Sequence, residues 1–452
     1  MKNLLFGLTT VAALHLAACD FDIPDLNNPG LAELESSPTR PLVTVACTGL
    51  LDGHRAGLAS ANGYIVQLGI LGREAYNFDP ADPRFIGELL TAQLQKGSPF
   101  GGNFWAGPYA NIRLANLVVS AADKVPTYTA MERSAIKGFA RTMIASDLLR
   151  VINTHDTNGA VIDTDKPLGQ PLGAIVGKDA VFAKIVELLD QAKTDLGAAG
   201  DEFPFPLTTG FAGFDDPAGF LQYNRALRAR VALYVDQPAD ALTALGESFL
   251  NAAPASLDEL NAGPVLNYSP ASGDTANALT NRNIFAHPSL VTAAQTGDAR
   301  VTRKLVMVAV GSSSGLMSDR KFLFDGAPPT RSTSIPLIRN EELILIRAEA
   351  EAKLGMKTEA IADLNTIRDK SAQLAALAND IPDAQVTDEI LYNRRYSLMF
   401  EGGHSWIDAR RFGRITSLPK DLPDHVYNVR YPIPQAECDG RPNEPACNLG
   451  SQ

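Results

Sequence analysis

Apolar side chains recur along much of this chain at intervals of three and four, the spacing of a helix that buries one face. The clearest run is Val181, Phe182, Ile185, Leu188, Leu189, Ala192 and Leu196. A second runs through Ile136, Ala140, Met143, Ile144, Leu148 and Val151, and ends at the turn-forming Asp156 to Gly159. From Asn340 to Ala372 the pattern predicts a helical hairpin: Leu343, Ile346, Ala350 and Leu354 on one helix, Gly355 as the stop, and Ala360, Ile361, Leu364 and Ile367 on the next. The same spacing recurs 119 residues earlier, with Val231, Val235, Ala241, Leu242 and Leu245 matching Ala350, Leu354, Ala360, Ile361 and Leu364. Small residues at the crossing allow two antiparallel helices to approach closely, as in degenerate tetratricopeptide repeats.

The predicted fold class is therefore mainly α, built of tetratricopeptide-like helical hairpins with long irregular loops. The loops are Glu74 to Gly107, Gly200 to Gly219, Gly263 to Thr280 and Gly311 to Thr333, and together they are expected to form an exposed second face. Strand-like runs at Leu305 to Val310 and Lys321 to Phe324 predict a small β-hairpin there.

The start of the chain adds an anchor. Lys2, an apolar stretch from Leu4 to Leu14, and Leu16-Ala17-Ala18-Cys19 form the cleavage signature of a bacterial lipoprotein, so Cys19 is expected to become a lipidated first residue. Residues 1–18 are then a leader and residues 19–28 a tether. Residues 29–452 form one helical domain, with an N-terminal part to about 215 and a C-terminal part from about 216. The anchor would hold this body on a membrane surface through lipid alone. No run of 18 or more apolar residues follows the leader.

The chain carries 40 Lys and Arg against 51 Asp and Glu, a net charge of −11, which makes nucleic acid an improbable partner. The histidines are too scattered and no Cys/His spacing fits zinc, so neither a metal nor a cofactor is expected. Cys438 and Cys447, with eight residues between them in a Pro- and Gly-rich tail, suit a small disulfide loop. Cys47, on an apolar helix face, reads as a buried free thiol.

Near the C-terminus stand Phe400-Glu401-Gly402-Gly403-His404-Ser405-Trp406-Ile407-Asp408-Ala409-Arg410-Arg411-Phe412-Gly413, then Tyr431-Pro432-Ile433-Pro434. These segments resemble the tail motifs of the SusD/RagB family of outer-membrane nutrient-uptake lipoproteins. Asp25 to Pro29 resembles that family's mature N-terminus, Trp105 to Asn116 its early helix, and Pro336 to Arg339 leading into Ala348-Glu349-Ala350 its third repeat. The resemblance implies tetratricopeptide-like helix pairs carrying an irregular ligand-binding face. It also implies a surface-exposed, lipid-anchored protein that caps a SusC-like TonB-dependent transporter and delivers nutrient oligomers to it without catalysis.

Aromatic content is 7%, with two tryptophans, so peptides stand beside glycans as expected ligands. Arg73, Tyr76, Phe78 and Phe100, on the loop before Trp105, either grip a ligand or pack beneath the loop. Trp406, Asp408, Arg410 and Arg411 read as a structural lock, because an aspartate paired with arginine beside an indole can fix a helix end to the core. Asp156, Asn158, Asp163 and Asp165 carry calcium-type oxygens, but their spacing does not fit an EF-hand and a solvated turn is expected. Gly311 to Gly315 matches the serine-hydrolase elbow around Ser313, with Asp319 and His404 downstream, yet no helical stripe follows it as an elbow requires. A membrane-anchored tetratricopeptide-like interaction scaffold is the competing function. The anchor is directly testable: radioactive fatty acid should label the wild-type protein, and Cys19→Ala should abolish the label.

Overall fold

The computed structural model describes residues 30–166, 170 and 173–452; Cys19, the tether and Asp25 to Pro29 lie outside the described residues. About 51% of the described residues are helical, with seventeen α-helices among them. Eleven have eight or more residues: α1 (Arg40–Arg55), α2 (Tyr64–Leu71), α3 (Ala106–Lys124), α4 (Ala130–His155), α5 (Lys178–Gly197), α6 (Pro217–Tyr234), α7 (Pro238–Gly246), α8 (Asn340–Lys353), α9 (Lys357–Ile367), α10 (Asp383–Ser397) and α11 (His404–Arg411). They stack in sequence from α3 through α9. Helix α1 lies on α3, α10 lies on α8 and α9, and α11 connects α10 back to α2.

The helices lie where the apolar period placed them. All seven residues of the Val181 to Leu196 stripe are buried in α5, and the six from Ile136 to Val151 are buried in α4. Helix α4 starts at a capping box in which Thr129 and Glu132 satisfy each other's exposed end groups. The two hairpins 119 residues apart are α6–α7 and α8–α9. Both cross on small residues: Ala229, Ala232, Ala241 and Ala244 in the first, Ala348, Ala350 and Ala360 in the second, all at 3% exposure or less. The connections also correspond, since Gly355 (φ +78°) and Asp236 (φ +57°) both turn left-handed at the repeat offset. Leu354 departs from its predicted stripe and is 43% exposed, because the helix ends at Lys353 and the chain swings outward into Gly355.

Strands pair only as antiparallel two-stranded ladders among the described residues: β1 (Ala75–Asn77) with β5 (Ile284–Ala286), β2 (Ala160–Val161) with β3 (Ile175–Val176), β4 (Val265–Leu266) with β8 (Ile335–Pro336), and β6 (Leu305–Ser313) with β7 (Leu316–Phe322). The predicted hairpin is β6–β7. It turns at Ser314 (φ +52°) and Gly315 (φ +83°), a two-residue loop that requires two left-handed residues.

The core has two large clusters and a smaller one. The first joins α1 and α3–α7 to the C-terminal tail; the second gathers α2, β1, β5 and the tail motif; the third fills α8–α9 against α10. The expected exposed face over Glu74 to Gly107 is instead the second core. Its Phe85, Ile86, Leu89, Leu90 and Leu94 are buried, since a polar stretch with that much apolar content folds inward.

Among the carboxylates that helix α8 buries, three meet an arginine: Glu341 meets that of the residue opening the helix, and the other two meet those of distant segments. Glu341 pairs with Arg339, Glu342 pairs with Arg230 at 2.6 and 2.7 Å, and Glu349 pairs with Arg411 at 2.5 Å. Burial opposes ionisation of Glu342, but Arg230 overrides it and holds the carboxyl down at about 2. Burial pushes His155 and His404 down to about 4 from 6.5.

Two outcomes follow for stability. Leu189→Ala, which empties a fully buried site, should cost about 2–5 kcal/mol in chemical denaturation, whereas Leu354→Ala should change stability by under about 0.5 kcal/mol. As pH falls below 6.5 the unfolded chain protonates its histidines while His155 and His404 stay neutral, which lowers stability; Glu74 and Glu351, whose carboxyls burial pushes up to about 8 and about 7, oppose this by favouring the folded state as pH falls toward 4.5. The Glu342 contribution, present above about 4.5, is lost as pH approaches 2. Urea midpoints from pH 8 to pH 3 on a Glu74→Gln, Glu351→Gln variant measure both, and a level curve between about 6.5 and 4.5 in that variant would contradict the histidine contribution.

Candidate functional site

A cavity of about 80 Å³ opens where the first two core clusters meet. Helix periodicity builds its walls. Ser146, Arg150 and Asn153, at spacings of four and three, share one face of α4; Tyr223, Arg230 and Tyr234, at seven and four, share one face of α6. The end of α1 contributes His54, the start of α2 contributes Tyr64, and the tail contributes Glu401, Gly402 and His404.

Most of the charge around this space is closed. Arg230 forks onto Glu342 and donates to the Leu337 carbonyl at 2.8 Å. Glu401 accepts from Arg339 at 2.9 Å and from Lys304 at 3.0 Å. His54 Nδ1 lies 2.7 Å from Asp147, whose other oxygen accepts from Asn111 at 2.6 Å. Arg150 is less satisfied: Nη1 donates to the His54 carbonyl, Asp147 stands 3.5 Å away, and Nε is buried without a partner. His404 is 7% exposed and its Nδ1 is also unpartnered. The arrangement supplies hydrogen-bond donors and aromatic faces to a small polar group.

The tail motif forms the wall and the fastening at once. Phe400 stacks on Phe322 with centroids 4.0 Å apart. Gly403 has φ +75° and sits so near α2 that a Cβ would come within 2.5 Å of Leu68. Trp406 is wholly buried, donates through Nε1 to the Asn428 carbonyl at 2.9 Å, and carries the Arg410 guanidinium over its ring at 4.5 Å. Arg410 donates to the Val429 and Asn153 carbonyls at 2.8 and 2.7 Å. Asp408 bridges Arg394 at 2.6 Å and Arg411 at 2.7 Å. Burial works against its ionisation, yet the two guanidinium groups keep its carboxyl below the ordinary aspartate range.

The loop residues expected either to grip a ligand or to pack beneath the loop do the second. Arg73, Tyr76, Phe78 and Phe100 are 1, 2, 6 and 1% exposed. Arg73 donates to the Pro419 and Val426 carbonyls, both at 3.0 Å, and Tyr76 donates to Asp421 at 2.7 Å, so both hold down the segment over them. Phe78 lies between Tyr76 and Phe285, and Phe100 packs on Phe85. A long apolar-rich loop buries its aromatics before it presents them.

Cys438 and Cys447 are joined by a disulfide, and Cys47 is a buried free thiol. The expected solvated turn at Asp156 is buried instead. Asp156 is met by Lys178 at 2.6 Å, and Asn158 donates to the Tyr431 carbonyl at 2.7 Å, which fixes the turn to the tail. Asp163 pairs with Lys166 at 2.6 Å, and among the described residues no group of three or more His, Cys, Asp and Glu is arranged to hold a metal. Ser313 sits in β6, ahead of a hairpin turn and not a helix, so Gly311 to Gly315 lacks the elbow geometry. Gly311 has its own reason, since a Cβ there would meet the Phe285 ring at 2.2 Å.

Sequence reasoning did not find the cavity residues Arg150, Tyr64, Tyr223, Arg230 and Tyr234. Polar positions at helical spacing in α4 and α6 were the available signal, but the same spacing describes a solvated face.

Residues 327–441 match the SusD family model. A segment of 87 residues is 34% identical to SusD-like protein P38 of Formosa agariphila, covering 18% of this chain and 17% of that relative's length. A SusD superfamily protein of Bacteroides vulgatus superimposes with TM-score 0.68 at 17% identity, over 91% of this chain and 98% of its own. NanU of B. fragilis gives 0.67 at 15% identity, over 94% and 98%. A SusD-like carbohydrate binding protein of Bacteroides vulgatus gives 0.62 at 20% identity, over 82% and 83%. Residues 327–441, the segment that fastens the fold, thus carry the SusD family's sequence pattern, and the fold is shared with SusD superfamily structures along nearly the whole chain.

Proposed function

We propose that this protein is a cell-surface lipoprotein that binds nutrient oligomers, glycan or peptide, and hands them to a SusC-like TonB-dependent outer-membrane transporter. The observation that carries the reading is the coincidence of the family segment at residues 327–441 with a SusD-type fold over the rest of the chain. Members of this family are binding proteins, accessory to SusC-like systems. Acylation at Cys19 would supply the outer-membrane attachment, and among the described residues no helix is long and apolar enough to cross a membrane. Binding and release would then proceed through changes in population between states of the assembly, with no bond broken.

Two measurements test this. Pull-down of the acylated full-length protein in mild detergent should recover a large β-barrel transporter; recovery of the protein alone would favour the interaction scaffold. A thermal-shift screen of glycans and peptides should find at least one oligomer that raises the melting temperature, because a ligand of the native state alone must stabilise it.

A further inference from the structure

The cavity between α1, α2, α4, α6 and the tail motif is specific in what it leaves undone. Its volume of about 80 Å³ exceeds the roughly 10–15 Å³ that one water requires, so it has room for a small organic group. Its polar walls carry many donors: two guanidinium groups, three phenols and two imidazoles. Arg230 and Glu401 already spend their charge on bidentate and multiple partners, whereas Arg150 does not. The nearest carboxylate to Arg150, Asp147 at 3.5 Å, is committed to His54 and Asn111. Nη2 of Arg150 makes no hydrogen bond among the described residues, and Nε is buried and bare. The guanidinium sits beside the Tyr64 ring, 5.6 Å from its centroid, which orients its plane. His404, also lining the cavity and more than nine-tenths buried, has an unpartnered Nδ1.

A guanidinium in a small, partly enclosed space, with Nη2 unpartnered and its nearest carboxylate already committed, calls for an anionic acceptor. A carboxylate supplies one, and a neutral hydroxyl or amide leaves the charge open. We infer that the cavity receives a carboxylate-bearing unit of the cargo, with Arg150 as the residue that selects it and Tyr64, Tyr223 and Tyr234 as the surrounding walls. This rests on the reading of the protein as a nutrient binder, and adds to it the chemical class of the group recognised.

Isosteric pairs decide the matter on the wild-type protein. In calorimetric titrations of the full-length, delipidated chain, acetate should bind and acetamide should not; galacturonate should bind more tightly than galactose, or alanyl-alanine more tightly than its C-terminal amide. The last two pairs separate a sugar acid from a peptide terminus as the source. Arg150→Met should weaken binding of the acid about tenfold, the loss expected when one charge-assisted pair is removed, and Arg150→Lys should recover part of it. Acids that bind no better than their neutral counterparts, no binding by any acid, or acid binding that survives Arg150→Met would each overturn the inference. Transporter recovery in the pull-down is read separately, so failure here leaves the functional proposal standing, and failure there does not depend on this cavity.

Discussion

The architecture depends on the cost of taking charged groups out of water. Helix α8 carries Glu341, Glu342 and Glu349 into the interior, where each is 2% exposed or less. An unpaired carboxylate in that position would be neutralised or would unfold the helix; a paired one holds only if its partner is placed with good geometry. Arg339 is the residue that opens α8 itself, whereas Arg230 arrives from the earlier repeat and Arg411 from the tail motif. The Arg230–Glu342 and Arg411–Glu349 contacts fix the register of two repeats and the tail together. Apolar packing alone tolerates sliding, since it is non-directional.

The same economy of charge explains the cavity. It forms where two apolar clusters abut and their polar fastenings must pass, so its walls include the members of ion pairs and the starts of helices. Arg230 and Glu401 serve as fastenings and as lining at the same positions. The tail motif is therefore structural and site-forming at once: Trp406 and Asp408 clamp α11 to the body, and Gly403 and His404 bring the chain to the cavity edge.

The long connections do different work from what their composition implied. The stretch after α2 buries Tyr76, Phe78, Phe85 and Phe100 and is tied down by the segment around Asp421, so it extends the core. The disulfide between Cys438 and Cys447 closes the tail next to the first cluster. What stands out into solvent is the β6–β7 hairpin, with Met307, Val310 and Met317 more than 60% exposed.

The sequence by itself determined the local structure. Helices α4 and α5, the α6–α7 and α8–α9 hairpins, the β6–β7 hairpin and the buried Cys47 are all legible, because backbone hydrogen bonding and one-sided burial leave a period that needs no distant information. The ordered tail motifs pointed to the family for a related reason: several residues that must meet in space are close along the chain. Only the tertiary structure decided which polar groups are inside. Arg73 reads as ambiguous and the Asp156 turn as solvated until the carbonyls of Pro419 and Val426 and the ammonium of Lys178 are seen to meet them. Whether a polar side chain faces water or a counter-charge depends on a distance the one-dimensional pattern does not contain, and so the cavity around Arg150 exists only in the folded chain.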